Sequence, residues 1–181
     1  MCAAPSNPPR AHPSTVDGEG GLLRAEKDIQ NRLAGQQLDF PSMLAVSNIY
    51  RAASAVRRQA ERDLLTPAGL SWGGFTILWV LWIWGEMETA RLASECDLAK
   101  GTLTGMLNTL EKQKLVARNR MDSDRRRVMV TLTETGEETI GELFPRFNAY
   151  EGAATIGLTD GEKADLAKLL RVVITNTAPE E

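Results

Sequence analysis

The 181-residue chain has few of the residues that catalytic and disulfide-bonded sites need. It contains two cysteines and one histidine, and that histidine, His12, lies in a leader rich in proline, serine and glycine. A disulfide framework needs several cysteines, whereas a His-dependent triad or a multi-histidine metal site needs histidines in a folded region. No glycine-rich loop follows a predicted strand, which argues against a phosphate-binding loop. We therefore expect no enzyme, no metal site and no cofactor.

Long apolar runs are also scarce. The longest, residues 75–84, has roughly half the length that a membrane-crossing helix requires. The N-terminus shows no basic region leading into an apolar segment, so we expect no secretory signal. Because 43% of the residues are hydrophobic and 25% are charged, the composition is that of a globular protein. We expect a cytoplasmic protein without a membrane partner.

The net charge of −3 hides an uneven distribution. Residues 100–127 include eight basic and three acidic residues, a local charge of +5. From residue 133 onward there are ten acidic and four basic residues, a local charge of −6. A basic segment on an acidic body favours one surface that faces the phosphates of double-stranded DNA.

A helix predicted at residues 100–113 has one apolar face and one face of small polar residues. The apolar positions predicted to face inward are Leu103, Met106, Leu107 and Leu110. The positions predicted to contact DNA are Lys100, Thr102, Thr104, Gly105, Asn108, Thr109 and Lys112. Short hydroxyl and amide side chains suit base edges, and the N-terminal residues of the helix can meet phosphate. With a short helix from about residue 88 and a turn at 97–99, this segment is a predicted helix-turn-helix; a generic solvated face is the alternative.

A two-stranded wing is predicted next, with strands at about residues 116–120 and 127–132, because apolar residues alternate there. Its tip carries the predicted DNA contacts Arg120, Arg125 and Arg126. Asp124 can pair with Arg126 and hold its guanidinium in one direction for insertion into the minor groove. A merely solvated turn is the alternative interpretation.

Long helices with apolar faces flank this module, and we expect the fold to be mainly α with a small β-wing. The predicted parts are a disordered leader with a possible short extra helix (1–38), an N-terminal dimerisation helix (39–68), the winged helix-turn-helix (69–133) and C-terminal dimerisation helices (134–181). The C-terminal helices are predicted to begin at Thr133 or Thr135 and at a capping box near residues 158–162. Pro145 is predicted to kink the first of them. The apolar faces of the flanking helices are larger than the core of the module needs, so we expect these helices to form a homodimer interface.

The tryptophan-rich segment, residues 71–85, allows two interpretations. On a helix, Trp72, Phe75, Trp79 and Trp82 share one face. Core packing is one explanation, because aromatic side chains bury the most surface. The other is that these residues, with Tyr50, bind a flat aromatic effector such as an aromatic carboxylate or a phenol.

The order of these elements and several short motifs resemble the MarR family of bacterial regulators, over about residues 41–175. The most specific motifs are Leu92-Ala93, Leu115-Val116-Ala117-Arg118, Asp124-Arg125-Arg126 and Leu132-Thr133-x-x-Gly136. The resemblance implies a homodimeric winged-helix repressor or activator that dimerises through its first and last helices. It further implies binding to a pseudo-palindrome, with contacts from residues 100–108, Arg125 and Arg126, and release by a small, often phenolic, molecule.

Two departures from the family pattern matter. Members commonly have glycine after the recognition helix, where the chain turns left-handed; this chain has Lys114, which should cost about 1 kcal/mol. Urate-sensing members carry a tryptophan in the extra helix and an aspartate where this chain has Thr76, so urate is not the expected ligand.

The main hypothesis is a cytoplasmic, DNA-binding transcriptional repressor that acts as a homodimer and is released by a small, possibly aromatic, ligand. One alternative is a winged-helix module that binds a protein partner without a ligand response; salt-dependent DNA binding would distinguish the two. Another is a thiol-based redox sensor through Cys96. Since Cys96 lies one helical turn after Leu92, a buried and inert thiol is the competing explanation.

Overall fold

The computed structural model describes residues 21–121 and 124–178. They form seven α-helices and one small antiparallel sheet, and they divide between Ser54 and Ala55 into two compact units. The predicted fold class, mainly α with a small β-wing, is confirmed. Most of the predicted leader, up to residue 20, lies outside the described residues.

The first unit contains α1 (Arg24–Leu33) and most of α2 (Phe40–Ala60). The Glu26 carboxylate is buried and accepts hydrogen bonds from the Leu23 backbone N–H and from Asn48 Nδ2, both at 2.7 Å. A buried carboxylate needs such partners, so Glu26 fixes α1 against α2. At the start of α2, Asp39 accepts from the Ser42 backbone N–H at 3.1 Å, as an N-cap does.

The second unit begins with the end of α2, which continues as a π-helical turn (Glu61–Leu65) and a 3-10 turn (Thr66–Ala68). Gly69 ends this run at φ 72°. Helix α3 (Trp72–Trp84) follows, and the Ser71 hydroxyl accepts from the Gly74 N–H at 3.1 Å as its cap. The predicted helix end at residues 66–69 is therefore observed.

The helix-turn-helix consists of α4 (Thr89–Glu95) and α5 (Lys100–Lys112). Between them Asp97 is left-handed at φ 50°, and the Leu98 N–H donates to the Ala93 carbonyl at 2.9 Å. After α5, Lys114 takes the left-handed conformation at φ 61°, where the family pattern has glycine. The helix therefore ends in the left-handed turn that the resemblance led us to expect, with a strained lysine at the turn.

The wing comprises β2 (Val116–Met121) and β3 (Asp124–Leu132), and a short strand β1 (Met87–Glu88) completes a sheet of order β1-β3-β2. Strand β3 begins three residues earlier than predicted, because backbone pairing continues past an irregularity to Met121 and Asp124. Strand β1 pairs Met87 with Val130 and Glu88 with Met129. Two residues are too short for an alternating pattern, so the sequence contained no signal for β1.

Helices α6 (Glu134–Ala154) and α7 (Asp160–Thr177) complete the unit. Thr133 caps α6 by accepting from the Gly136 N–H at 3.0 Å, and α6 continues through Pro145. A Cβ on Gly136 would overlap the Leu115 carbonyl oxygen, so glycine is required where α6 passes the root of β2. Thr159 and Glu162 form the predicted capping box of α7.

The core of the second unit lies where α3, α5 and α6 meet the sheet. Its largest fully buried side chains include Ile77, Leu78, Leu103, Leu107 and Ile140. Of the helices in residues 21–121 and 124–178, none alone is long and apolar enough to cross a membrane; one bent pair of consecutive helices meets the length and composition requirement jointly.

Candidate nucleic-acid interface and adjoining cavity

Helix α5 presents the predicted polar face to the outside. Leu103, Leu107 and Leu110 are each at most 2% exposed and anchor the helix in the core. Met106, also predicted to face inward, is half-buried at the edge of the core. All the α5 residues predicted to contact DNA are exposed: Lys100, Thr102, Thr104, Gly105, Asn108, Thr109 and Lys112.

The start of α5 is open to an anionic partner. Its N-cap residue is Ala99, whose side chain accepts no hydrogen bond, so the first N–H groups of the helix have no side-chain cap. Lys100 adds a positive charge at the same end. Free N–H groups and the positive end of the helix dipole together favour a phosphate oxygen.

Two threonine hydroxyls on α5 already donate hydrogen bonds within the helix. Thr104 Oγ1 donates to the Lys100 carbonyl at 2.9 Å, and Thr109 Oγ1 donates to the Gly105 carbonyl at 3.3 Å. Each hydroxyl oxygen keeps its lone pairs, which suits acceptance from an amino group of a base. A Cβ on Gly105 would meet nothing within 4 Å, so the outer surface is free at this position.

Among the basic residues of 100–127 whose side chains the structure describes, Arg118 and Arg127 form ion pairs. Arg118 on β2 donates to Glu111 and Asn108 of α5, and Arg127 on β3 donates from Nη2 to Glu88 at 2.9 Å. The hydrogen bond from Arg118 lowers the pKa of the Glu111 carboxyl below its ordinary value. Carboxylates of the protein itself therefore neutralise these two guanidinium groups, which reduces the positive charge available to phosphates.

The wing-tip side chains at residues 120–126 lie outside the described part of the structure, which gives only backbone pairing there. The predicted DNA contacts Arg120, Arg125 and Arg126, and the predicted brace Asp124, belong to this group. They stay predictions.

A cavity of about 470 Å³ lies between α3 and α6. Phe75 and Phe147 have ring centroids 4.6 Å apart, and Trp72 lies 5.9 Å from Phe147. The lining residues are Trp72, Phe75, Thr76, Trp79, Phe144, Phe147 and Glu151. A cavity of this size with aromatic walls is typical of a small-molecule site.

The tryptophan stripe is placed differently from the core-packing prediction. Phe75 is buried, but Trp72 and Trp79 are half-buried on the cavity wall, and Trp82 is 40% exposed. Trp82 does not line the cavity; its ring packs 5.5 Å from Phe144, which does. The core face of α3 carries Ile77, Leu78, Val80 and Leu81 instead. Tyr50, also predicted as a ligand contact, is 71% exposed and belongs to the first unit.

The contribution of α6 to this cavity was not predicted from the sequence. Phe144, Phe147 and Glu151 lie at i, i+3 and i+7 of α6 and share one face. The sequence shows that these three residues share one face of α6, but only the packing of α6 against α3 shows that this face borders a cavity.

The polar groups of the cavity are few. Trp79 Nε1 is buried, and it has no hydrogen-bond partner among the described residues. Thr76 Oγ1 donates to the Trp72 carbonyl at 3.0 Å, and Glu151 accepts from Asn148 Nδ2 at 3.1 Å. Glu151 is the one ionisable residue in the described lining.

Helix α3 also contacts α5, on the side away from the cavity. A Cβ on Gly73 would lie 2.6 Å from Met106 Cε, and one on Gly74 would lie 3.6 Å from Leu110. The two glycines therefore let α5 approach α3 closely. One helix thus contacts both the cavity and the DNA-facing helix.

Cys96 follows α4 and is partly buried against the core. Burial, together with the nearby Glu95 carboxylate, raises the pKa of its thiol to about 11. The thiolate is the reactive form, so this thiol is a poor nucleophile near neutral pH. The inert-thiol interpretation has physical support here, and the redox-sensor alternative has none.

A two-helix motif with an exposed polar recognition helix, followed by a wing, defines a winged helix-turn-helix DNA-binding protein. Residues 70–128 match the model of the MarR family. The uncharacterised HTH-type transcriptional regulator YwaE of Bacillus subtilis (strain 168) is 34% identical over 158 residues, which cover 86% of this chain and 92% of YwaE. The chain therefore belongs to the MarR family of transcriptional regulators, and it is a regulator rather than an enzyme.

Solved structures share the fold. Sco3205 of Streptomyces coelicolor, a MarR family regulator solved in complex with DNA, matches with a TM-score of 0.69 and 23% identity, over 80% of this chain and 92% of that chain. NadR, solved in complex with 4-hydroxyphenylacetate, matches with a TM-score of 0.60 and 28% identity, over 70% of this chain and 89% of that chain.

Proposed function

We propose that this MarR-family regulator is a repressor that binds a pseudo-palindromic operator as a homodimer and is released by a small aromatic ligand. The observation that carries the proposal is the position of α3, whose one side lines the cavity and whose other side packs on α5. A ligand in that cavity contacts the helix on which the DNA-facing helix rests.

The flanking helices support a homodimer. Helix α7 has no buried residue, and Leu166, Leu169 and Val172 are 45%, 63% and 53% exposed. These three residues recur at helical spacing, and such an apolar face is usually covered by a partner. In the first unit, Val46 on α2 is also 45% exposed. We assign residues 39–68 and 134–181 to dimerisation, as the sequence predicts.

The DNA contacts follow from the exposed face of α5. Thr104, Gly105 and Asn108 would face base edges, while Lys100 and Thr102 would meet phosphate at the uncapped start of the helix. The wing would place Arg125 and Arg126 beside the adjacent minor groove. A dimer that presents two such helices should protect half-sites whose centres are about 10 base pairs apart.

The cavity favours a neutral phenol over an aromatic carboxylate. Its aromatic walls suit a flat ring, and we assign the buried, unpaired N–H of the lining residue Trp79 as the donor to an oxygen of the ligand. Glu151 would repel a carboxylate, and no described lining residue carries a positive charge to offset that repulsion. A phenol oxygen can accept from Trp79 while its hydroxyl donates to an oxygen of the wall. The ligand of NadR, 4-hydroxyphenylacetate, shares the phenol ring but also carries a carboxylate, the group that Glu151 would repel in this cavity.

The ligand would act by shifting an equilibrium between DNA-binding and released arrangements of the dimer. It can do so only through a difference in its affinity for the two arrangements. A tenfold loss of DNA affinity needs about 1.4 kcal/mol of coupling. Contacts through Gly73 and Met106 supply a path for that coupling, because movement of α3 displaces α5.

The test begins with genomic fragments selected by the purified protein. Binding to one selected operator is then titrated with methyl 4-hydroxybenzoate and with 4-hydroxybenzoate, a pair that differs in charge. The neutral ester should quench tryptophan fluorescence and weaken the DNA complex over one concentration range, and the anion should do so more weakly.

Three results would contradict the proposal. They are a monomer by light scattering at micromolar concentration, a footprint without two-fold symmetry, and ligand binding without any change in DNA affinity. A matched variant, Glu151→Gln, keeps the shape of the side chain and removes its charge. In this variant the ester and the anion should differ less in how strongly they weaken the DNA complex. A reporter gene behind the operator distinguishes repression from activation.

A further inference from the structure

Arg118 joins the wing to the recognition helix through two residues of α5. Its Nη2 donates to Asn108 Oδ1 at 2.8 Å, and its Nε donates to Glu111 Oε2 at 3.2 Å. Nη2 also contacts the same Glu111 oxygen. The Arg118 side chain is only 26% exposed. Asn108 and Glu111 are one helical turn apart, so the planar guanidinium spans both.

This contact decides which way the Asn108 amide points. A guanidinium has donors and no acceptor, so only the amide oxygen can face it. The assignment of the amide oxygen and nitrogen therefore follows from chemistry. Asn108 Nδ2 has no protein acceptor among the described residues, and the side chain is exposed on the outer face of α5. The amide thus offers its two N–H donors outward.

An asparagine that reads adenine uses both ends of its amide, with the oxygen accepting from N6 and the nitrogen donating to N7. Both ends must point at one base. In this chain the oxygen is held toward β2 by Arg118, 2.8 Å away. What remains outward is a pair of N–H donors. Guanine offers them two adjacent acceptors, O6 and N7, and thymine offers O4, whereas adenine places its N6 amino donor beside N7, where it opposes a second N–H group.

We propose that Arg118 is a positioning residue that sets the base preference of Asn108, directing it to a guanine or thymine edge and away from adenine. The proposal rests on the proposed DNA contact of Asn108. Arg118 then contributes to specificity although it touches neither base nor phosphate.

The chain offers a matched control for the loss of charge. Arg127 lies on the neighbouring strand β3 and pairs with Glu88, with Nε–Oε2 at 3.0 Å and Nη2–Oε2 at 2.9 Å. Replacing either arginine by leucine removes one positive charge and one ion pair from the wing. Only Arg118→Leu frees the amide of a residue on α5.

The experiment selects bound sites from a DNA library in which each operator position is randomised in turn. The wild-type protein, Asn108→Ala, Arg118→Leu and Arg127→Leu are compared. The position read by Asn108 is the one whose preference disappears in Asn108→Ala. There the wild type should prefer guanine or thymine, and Arg118→Leu should shift the ratio of adenine to the preferred base by about tenfold toward adenine. Arg127→Leu should weaken binding to all sites without changing that ratio.

A wild-type preference for adenine at that position overturns the proposal, and this result does not depend on how well any arginine variant folds. So does an Arg118→Leu profile that matches the Arg127→Leu profile, or an Asn108→Ala variant that changes no position. Absence of sequence-specific binding by the wild type would instead overturn the proposed function itself.

Discussion

Helices α3 and α5 have the same length and share one core, yet their outer faces differ. Each has 13 residues, and they pack together through Gly73 and Met106. The outer face of α5 carries threonine, glycine, asparagine and lysine, whereas the outer face of α3 carries tryptophan and phenylalanine. Polar groups on one surface suit a nucleic acid, and aromatic groups on the other suit a flat apolar ligand. Under the proposed function, DNA recognition by α5 and ligand binding by α3 would therefore use the outer surfaces of two helices that pack on each other.

The largest expected effect comes from a charge on the outer face of α5. Gly105→Glu should weaken operator binding by about 100-fold or more, because a carboxylate would face DNA phosphates and base acceptors. The fold should be unaffected, since a Cβ there meets nothing within 4 Å. Fluorescence anisotropy with labelled operator measures the loss.

The control is Asn31→Glu, on α1, an exposed position outside the residues assigned to DNA contact and to dimerisation. It adds the same charge and should change operator affinity far less. Equal losses in the two variants would show that the effect is one of net charge and not of the α5 surface.

The wing should extend the DNA-facing surface beyond α5. Arg126→Ala should weaken operator binding by about 1 to 3 kcal/mol, because an arginine would leave the minor groove. Asp124→Ala should cost less, since it would remove only the brace. Gel shifts at two salt concentrations measure both. If neither variant changes affinity, the wing assignment is wrong.

The aromatic face of α3 should tolerate loss of one polar atom. Trp79→Phe removes an indole N–H that has no partner among the described residues, so the free energy of unfolding should change little from hydrogen bonding. Binding of a phenol that accepts from this N–H should weaken by about 1 kcal/mol, roughly fivefold. Calorimetric titration with methyl 4-hydroxybenzoate measures the difference. DNA affinity without ligand should be unchanged, and unchanged ligand affinity would remove Trp79 from the site.

The smallest expected effect lies at the end of α5. Lys114→Gly should raise the free energy of unfolding by up to about 1 kcal/mol, because Lys114 occupies the left-handed region at φ 61°. Operator affinity should be nearly unchanged. Chemical denaturation of the two proteins at one concentration provides the comparison. A stability loss in the glycine variant would mean that unfolded-state entropy outweighs the strain.

The same comparison explains what the sequence could predict. In α5 the polar residues mark the outer face, so the inward positions Leu103, Leu107 and Leu110 were predicted correctly. Helix α3 is apolar on every side, and periodicity cannot then tell which apolar residues are buried. The sequence therefore left two interpretations of the tryptophans open, core packing and a ligand site, and it did not predict that Ile77 and Leu78 fill the core.

Contacts between elements that are distant in sequence are the second kind of feature that the sequence could not predict. The pairing of Arg118 with Asn108 joins residues ten apart in sequence but on different elements, and neither residue type signals it. The cavity between α3 and α6 likewise depends on packing between two elements that are far apart in sequence. By contrast, the caps and the left-handed turn at Lys114 depend on neighbouring residues, and they were predictable.

Strand β3 extends well beyond its pairing with β1, so a small rotation at its root moves the tip of the wing a long way. Strand β3 is paired with the short strand β1 at Val130 and Met129, and it continues as far as Asp124. Five residues beyond Met129, at about 3.3 Å each, make an arm of roughly 17 Å. A rotation of about 10° at its root would sweep the end through about 3 Å, a full hydrogen-bond length. The release from DNA that we propose would therefore need no large opening of the molecule, because a small tilt at the root of the strand is amplified at its tip.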